Sequence, residues 1–203
     1  MAQNNQIIIG VTGITGSGTS TVSAILAEHG GYVIVADKLA HEVMQKGQAA
    51  YEKIVGEFGN EILKSDEEID RKALGGLVFA NKEKLALLES IVHPIVITKT
   101  QALLTTASNY PFAVIDAPLL IESGLNTICH RVWLVTASNE LRVARIMARD
   151  NIDIETATHR INSRLGDQAL RPFADAIIEN DGNLINLREN VQNMISERIP
   201  QFI

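Results

Sequence analysis

Residues 6 to 26 read as a short apolar run, a glycine-rich turn and a helical pattern in immediate succession, and this junction constrains the fold more than any other segment. Between the run Gln6–Ile9 and the helically spaced Val22, Ile25 and Leu26 lies Gly10-Val-Thr-Gly-Ile-Thr-Gly-Ser-Gly-Thr-Ser-Thr21. The frame Gly13-x-x-x-x-Gly18-Thr19-Ser20 fits the phosphate-loop pattern G-x-x-x-x-G-K-[ST] everywhere except at Thr19. Glycines in such a loop let backbone N–H groups turn inward around phosphate oxygens, and the helix that follows adds its positive end. Gly13, Ile14, Thr15, Gly16, Ser17, Gly18, Thr19, Ser20 and Thr21 are therefore expected to hold a nucleotide. The Ser20 hydroxyl is expected to face Mg²⁺. The mobile cation that ordinarily reaches the β- and γ-phosphates is missing, because threonine stands in the lysine position.

Size and charge exclude several other classes. A chain of 203 residues with 46% hydrophobic content has enough apolar material for one substantial core. Its net charge of −6 provides no basic field for nucleic acid. The single cysteine, Cys129, excludes an intramolecular disulfide framework and a cysteine zinc site. No apolar run approaches the 18 residues of a membrane span, and the start of the chain has no secretory pattern, so a cytoplasmic protein is expected. All eight lysines lie at or before Lys99, whereas six of the ten arginines fall between Arg142 and Arg171. Arginine is the side chain suited to forked phosphate contacts.

Five apolar runs predict buried strands: Ile7–Val11, Val33–Ala36, Phe112–Asp116, Arg131–Val135 and Ala176–Glu179. Helical patterns separate them, which predicts an α/β fold, a parallel sheet covered on both faces. The first helix is expected from about Ser20 to His29, ended by Gly30-Gly31. Lys38–Met44, Ala49–Phe58, Arg71–Phe79, Lys82–Val92 and Pro94–Ala107 all read as helix, too much for one crossover. One domain is thus expected, with a nucleotide-binding core of 1–37, 109–145 and 172–203. A helical subdomain at 38–108 is expected at the sheet's carboxyl edge, where ligands of open α/β sheets bind, with a lid at 146–171.

Asp37 closes the second strand at the rim where the phosphate loop is expected to open. A carboxylate there can take the proton of an attacking hydroxyl, and it can equally serve as N-cap for a helix at 38–44. Asp116 ends the nearly unbroken apolar run Phe112–Ile115, a place suited to holding Mg²⁺ or its water. Arg142, Arg145 and Arg149 share one helical face, and Arg160 and Arg164 repeat the pattern after a polar, acidic segment. This spacing describes a two-helix lid that closes positive charge over a polyphosphate. His41 and His93-Pro94 are not placed by residue chemistry alone. No zinc-site arrangement and no G-x-S-x-G elbow is present.

In this order the motifs resemble the dephospho-coenzyme A kinases, and the likeness runs over nearly the whole chain. It is carried by Gly10–Val22, Ala36-Asp37-Lys38-Leu39-Ala40-His41-Glu42-Val43, Glu57-Phe58-Gly59, Ile69-Asp70-Arg71, Leu77-Val78-Phe79 and His93-Pro94. Asp116-Ala117-Pro118-Leu119-Leu120-Ile121-Glu122, the arginine lid and Ala174-Asp175-Ala176-Ile177-Ile178-Glu179-Asn180 complete it. The resemblance implies a P-loop five-stranded fold and phosphorylation of the ribose 3′-hydroxyl of dephospho-CoA by ATP with Mg²⁺. It implies Asp37 as general base, Ser20 and Asp116 at the metal, and Arg145 and Arg149 on the transferring phosphoryl group. Asn180 would lie near the adenine, and His41, Arg71, His93 and Leu119 on the acceptor. Nucleic acid and membrane are not expected partners, and a monomer or weak homo-oligomer is expected.

The departures from this family are specific. Thr19 replaces the loop lysine, Val35 replaces the first acid of Asp-Ala-Asp, Arg142 and Arg164 replace glutamines, and Leu170 stands near an expected lysine. Arg142 or Arg164 is the expected substitute for the loop cation. Two other readings stay open, a catalytically impaired nucleotide- or CoA-binding homologue and a kinase for another small hydroxyl substrate.

Overall fold

A computed structural model describes residues 6–162 and 166–199. Contacts within the chain define two compact units, Met1–Ile34 with Thr106–Ile203, and Val35–Thr105. The first unit is built on a five-stranded parallel sheet. Its strands are β1 (Ile7–Thr12), β2 (Gly31–Val35), β3 (Phe112–Asp116), β4 (Arg131–Thr136) and β5 (Ala176–Glu179), in the spatial order β2-β3-β1-β4-β5. β1 pairs in parallel with both β3 and β4, and β4 with β5. Chain order reverses around β1, which opens a crevice beyond the carboxyl ends of β1, β3 and β4, the usual ligand position of such sheets.

Strand alternation sends each residue set to its own layer. On one face Ile9, Val11, Phe112, Val114, Trp133 and Val135 meet Val22, Ile25 and Leu26 of α1 (Thr19–Glu28). Leu187, Val191 and Ile195, described below on the last helix, join the same cluster. On the other face Leu134 packs with Ile14 and with Val143, Ile146, Ala157, Ile161 and Leu170. Gly10 carries no side chain into that second layer because Leu120 Cδ2 already fills the space, 2.6 Å from where a Cβ would stand.

The second unit is helical: α2 (Ala36–Val43), α3 (Tyr51–Phe58), α4 (Arg71–Phe79) and most of α5 (Lys82–Thr106). Leu63 and Ile69 form one antiparallel bridge before α4. Back in the first unit come α6 (Asn139–Asp150), α7 (Ile154–Asn162), the short α8 (Asp167–Leu170) and the last helix, α9 (Leu184–Arg198).

Two local expectations are corrected. The break expected between Val92 and Pro94 does not occur, and one helix of 25 residues runs through the proline. Proline removes one helical N–H, yet Val92, Val96, Thr100 and Leu104 are all buried and recur every four residues across it, so one buried stripe holds both halves in register. The second strand starts at Gly31, not Val33. With no side chain at Gly31, the Phe112 ring lies directly against its backbone. No helix among the described residues is long and apolar enough to cross a membrane.

Candidate phosphate-binding site

β1 ends at Thr12 and the chain turns at once into the glycine-rich loop. Ser17 N–H donates to Ile14 O at 3.0 Å, which tightens the turn. Gly16 at φ +87° and Gly18 at φ +98° adopt left-handed backbone that side-chain-bearing residues rarely tolerate. Gly18 is also the N-cap of α1, and its carbonyl accepts from Thr21 and Val22. No side chain caps this helix and its first turn holds no acid, so its positive end is left for an anion. Ser20 and Thr21 are exposed there, and Thr15 and Thr19 half-exposed. At Gly13 a Cβ would collide with Val135 O, so the loop lies directly on the end of β4.

α6 stands against the outside of the loop. A Cβ on Gly16 would lie 2.8 Å from Arg142 O, so the backbones are in contact there. One turn on, Arg145 Nη1 donates to Gly16 O at 3.3 Å and to Ser17 O at 3.4 Å, while Nη2 donates to Asn180 O at 2.9 Å. Asn180 follows β5 immediately. Its Nδ2 donates to Ser17 O at 2.8 Å and its N–H to Thr136 O at 2.8 Å. Arg145 and Asn180 thus converge on one loop carbonyl.

Arg142 is only 8% exposed. Its Nη1 lies 3.8 Å from Asp167 Oδ2, and Nε and Nη1 have no hydrogen-bond partner among the described residues. The same is true of Asp167 Oδ1 and of the buried Ser17 Oγ. Arg149 sits at the exposed end of α6 with Nε 2.7 Å from Asp150 Oδ1, and Arg160 reaches the same carboxylate at 2.6 Å. The Arg149 hydrogen bond lowers the proton affinity of Asp150, and Asp150 raises that of Arg149. Ion pairs in contact with water contribute little to stability. Arg164 lies outside the described residues.

Asp116, the last residue of β3, is 4% exposed and sits opposite Val11 of β1 in the parallel register. Asp116 and the Ser20 hydroxyl are hard oxygen donors on segments that leave the carboxyl ends of adjacent strands. Among the described residues no three His, Cys, Asp or Glu side chains gather into a metal cluster. A pair of oxygen donors of this kind fits Mg²⁺, which keeps several waters and takes one or two protein ligands together with substrate phosphates. Leu119, half-buried, belongs to the turn after Asp116, where its carbonyl accepts from Ser123 N–H.

In the helical unit, Asp37 lies inside the first turn of α2 and is exposed. The capping role is corrected. The helix starts at Ala36, Val35 occupies the cap, and no side chain caps it. A carboxylate in a first turn is favoured by the helix dipole. His41 lies one turn further along α2, on the same face. Partial desolvation and then the charge of Arg71 lower its proton affinity, and Asp37 opposes them. Asp37, His41 and Arg71 therefore form one electrostatically connected group. His93 is half-buried in α5.

Sequence reasoning found the loop and the acid that ends β3, but it set Asp37 at the close of β2, which ends at Val35, and it missed the Arg142–Asp167 pair and the bond from Asn180 to Ser17. The spacing of Asp167 carries no signal. The position of Asn180 directly after a predicted strand was the only hint of the second.

A family model described as dephospho-CoA kinase matches residues 7–186. A dephospho-CoA kinase of Carboxydothermus hydrogenoformans is 36% identical over 192 residues, covering 94% of this chain and 93% of that one. One of Fusobacterium nucleatum is 41% identical over 186 residues, covering 92% and 95%. A crystal structure of a Thermus thermophilus protein superposes with a TM-score of 0.82 at 33% identity, covering 95% of this chain and 98% of that one.

Proposed function

Since the chain belongs to the dephospho-CoA kinase family, we propose that it transfers the γ-phosphoryl group of ATP to the ribose 3′-hydroxyl of dephospho-CoA, giving coenzyme A and ADP. The observation that carries this reading is a complete phosphate-loop fold, matched to that family from residue 7 to residue 186. A cytoplasmic setting, where both substrates occur, is part of the same proposal.

The loop backbone from Gly13 to Ser20 binds the ATP phosphates, and the positive end of α1 adds to their stabilisation. Ser20 and Asp116 would hold Mg²⁺, which would neutralise charge on the β- and γ-phosphates when bound. Asp37 accepts the proton of the acceptor hydroxyl as its oxygen bonds to the γ-phosphorus, and the bond from that phosphorus to the bridging oxygen breaks to release ADP. Its exposure leaves this carboxylate reachable by the acceptor. His41, Arg71, His93 and Leu119 contact the acceptor. Arg149, at the exposed end of α6 and paired with Asp150 among the described residues, would exchange that partner for the transferring group.

Purified protein incubated with ATP, Mg²⁺ and dephospho-CoA is expected to yield CoA and ADP, read by mass spectrometry. The threonine at position 19 favours one second reading, a nucleotide binder without turnover. ATP binding with no CoA formed would select it, and turnover of a different hydroxyl compound in a substrate panel would redirect the assignment.

A further inference from the structure

The loop lacks its lysine, yet a cation touches it from the other side. Arg145 donates to Gly16 O and Ser17 O, and Asn180 Nδ2 adds a second donor to Ser17 O. No peptide bond among the described residues is cis, so the Gly18 N–H points opposite to the Ser17 carbonyl of the same peptide unit. A guanidinium and an amide withdrawing electron density from that oxygen make the N–H across the peptide more positive, as chained hydrogen bonds polarise one another. Ser17's own N–H is committed to Ile14 O, so the effect is delivered at Gly18, the residue that begins α1.

We propose that Arg145 is a positioning residue that supplies the missing loop charge from the carbonyl side, with Asn180 holding the same oxygen in place. It acts through the Ser17–Gly18 peptide on the phosphates nearest the loop and not by contact with the transferred group. The inference rests on the loop binding a nucleotide, as in the function proposed above. Arg142, the other cation behind the loop, is turned to Asp167, and its Nε and Nη1 have no hydrogen-bond partner among the described residues.

The two modes of action differ in what they do to ADP. An arginine on the γ-phosphate strengthens ATP binding and leaves ADP alone, whereas polarisation of the loop strengthens both equally. The test is calorimetric titration of ADP and of a non-hydrolysable ATP analogue into wild type, Arg145→Gln, Arg145→Lys, Asn180→Ala and Thr19→Lys. Arg145→Gln is expected to weaken both nucleotides by the same factor of about ten, the scale of one charge-assisted hydrogen bond. Beside Thr19→Lys that factor is expected to shrink, and Asn180→Ala to weaken both nucleotides equally and by less. The Gly18 amide resonance is expected to move upfield in Arg145→Gln and to stay closer to wild type in Arg145→Lys. Loss confined to the ATP analogue, or an undiminished loss beside Thr19→Lys, would overturn the proposal. Should Arg145→Gln unfold, the Asn180→Ala and Arg145→Lys titrations decide on the same criterion. Failure of the wild type to bind either nucleotide would instead remove the functional reading itself.

Discussion

In the unit that carries the loop, several polar groups behind the loop are buried, and Asn180 is tied to its backbone, whereas the candidate groups Asp37, His41 and Arg71 of Val35–Thr105 are exposed side chains. Asn180 and Asp116 are 6% and 4% exposed, and Ser17 is fully enclosed. Asp37, His41 and Arg71 all face water. The difference follows from the two tasks. A nest of backbone N–H groups binds phosphate only if the chain is held rigidly in left-handed conformations, and buried hydrogen bonds supply that rigidity. The roles proposed for Asp37, His41 and Arg71 require side chains that meet solvent and ligand in turn, and their exposure fits that.

The largest expected effect separates these roles. Asp37→Asn removes the proposed proton acceptor but leaves the phosphate loop untouched. Its kcat is expected to fall by about 10²- to 10⁴-fold, the usual contribution of a general base, with ADP affinity by calorimetry unchanged. Equal losses in kcat and ADP affinity would break the division between exposed chemistry and buried binding.

Next in size is the core of the helical unit. Ile54 on α3 is fully buried, and Ile54→Ala is expected to cost about 2–5 kcal/mol in chemical denaturation, as large-to-small core changes do. Nucleotide affinity of the folded variant is expected to stay at the wild-type value. A parallel drop in ADP affinity would mean that the exposed-side-chain unit also sets the loop.

How much of this was legible in the sequence follows the same divide. Gly13, Gly16 and Gly18 were visible because only glycine satisfies a close approach or a positive φ, so a physical need leaves a residue-type trace. Asp116 was visible because a carboxylate ending an apolar strand has few structural uses. The strand at Phe112–Asp116 and the helix at Arg71–Phe79 were placed to the residue. What could not be read was pairing between distant segments. The meeting of Arg145 and Asn180 on Ser17 O depends on the β4–β5 register, and no spacing rule encodes it. The uninterrupted α5 was missed because local proline chemistry argues for a break, and the buried stripe that outweighs it is a tertiary fact.

A smaller effect tests rigidity in the loop itself. Gly18→Ala would place a methyl group against Asn180 Nδ2 in backbone at φ +98°. Strain of about 1–3 kcal/mol is expected, seen as a lowered Tm and a weaker ADP affinity. Adding Asn180→Ala to this variant should recover part of the stability by clearing the collision. No recovery would show that the backbone conformation alone forbids a side chain, which would sharpen the role of the glycine and weaken that of its neighbour.

The smallest expected effect belongs to the exposed side of the comparison. Asp70 caps α4 by accepting from Lys72 N–H at 2.8 Å and Ala73 N–H at 3.2 Å. These bonds, that to Ala73 first, hold its carboxyl below the usual proton affinity. A carboxyl whose folded pKa is depressed gives its full stabilisation above the unfolded pKa, about 3.9, and loses it as pH falls through the lower folded value. Asp70→Ala is therefore expected to lower Tm at neutral pH, with the gap to wild type closing as the pH drops below that of an ordinary carboxyl. Asp70→Asn, a cap of similar quality that does not titrate, should keep most of the neutral-pH stability and lose the pH dependence. A gap between wild type and Asp70→Ala that is constant across the acid range would assign the stabilisation to shape and not to charge. Exposed groups in this unit would then be held by geometry much as the buried ones are in the other.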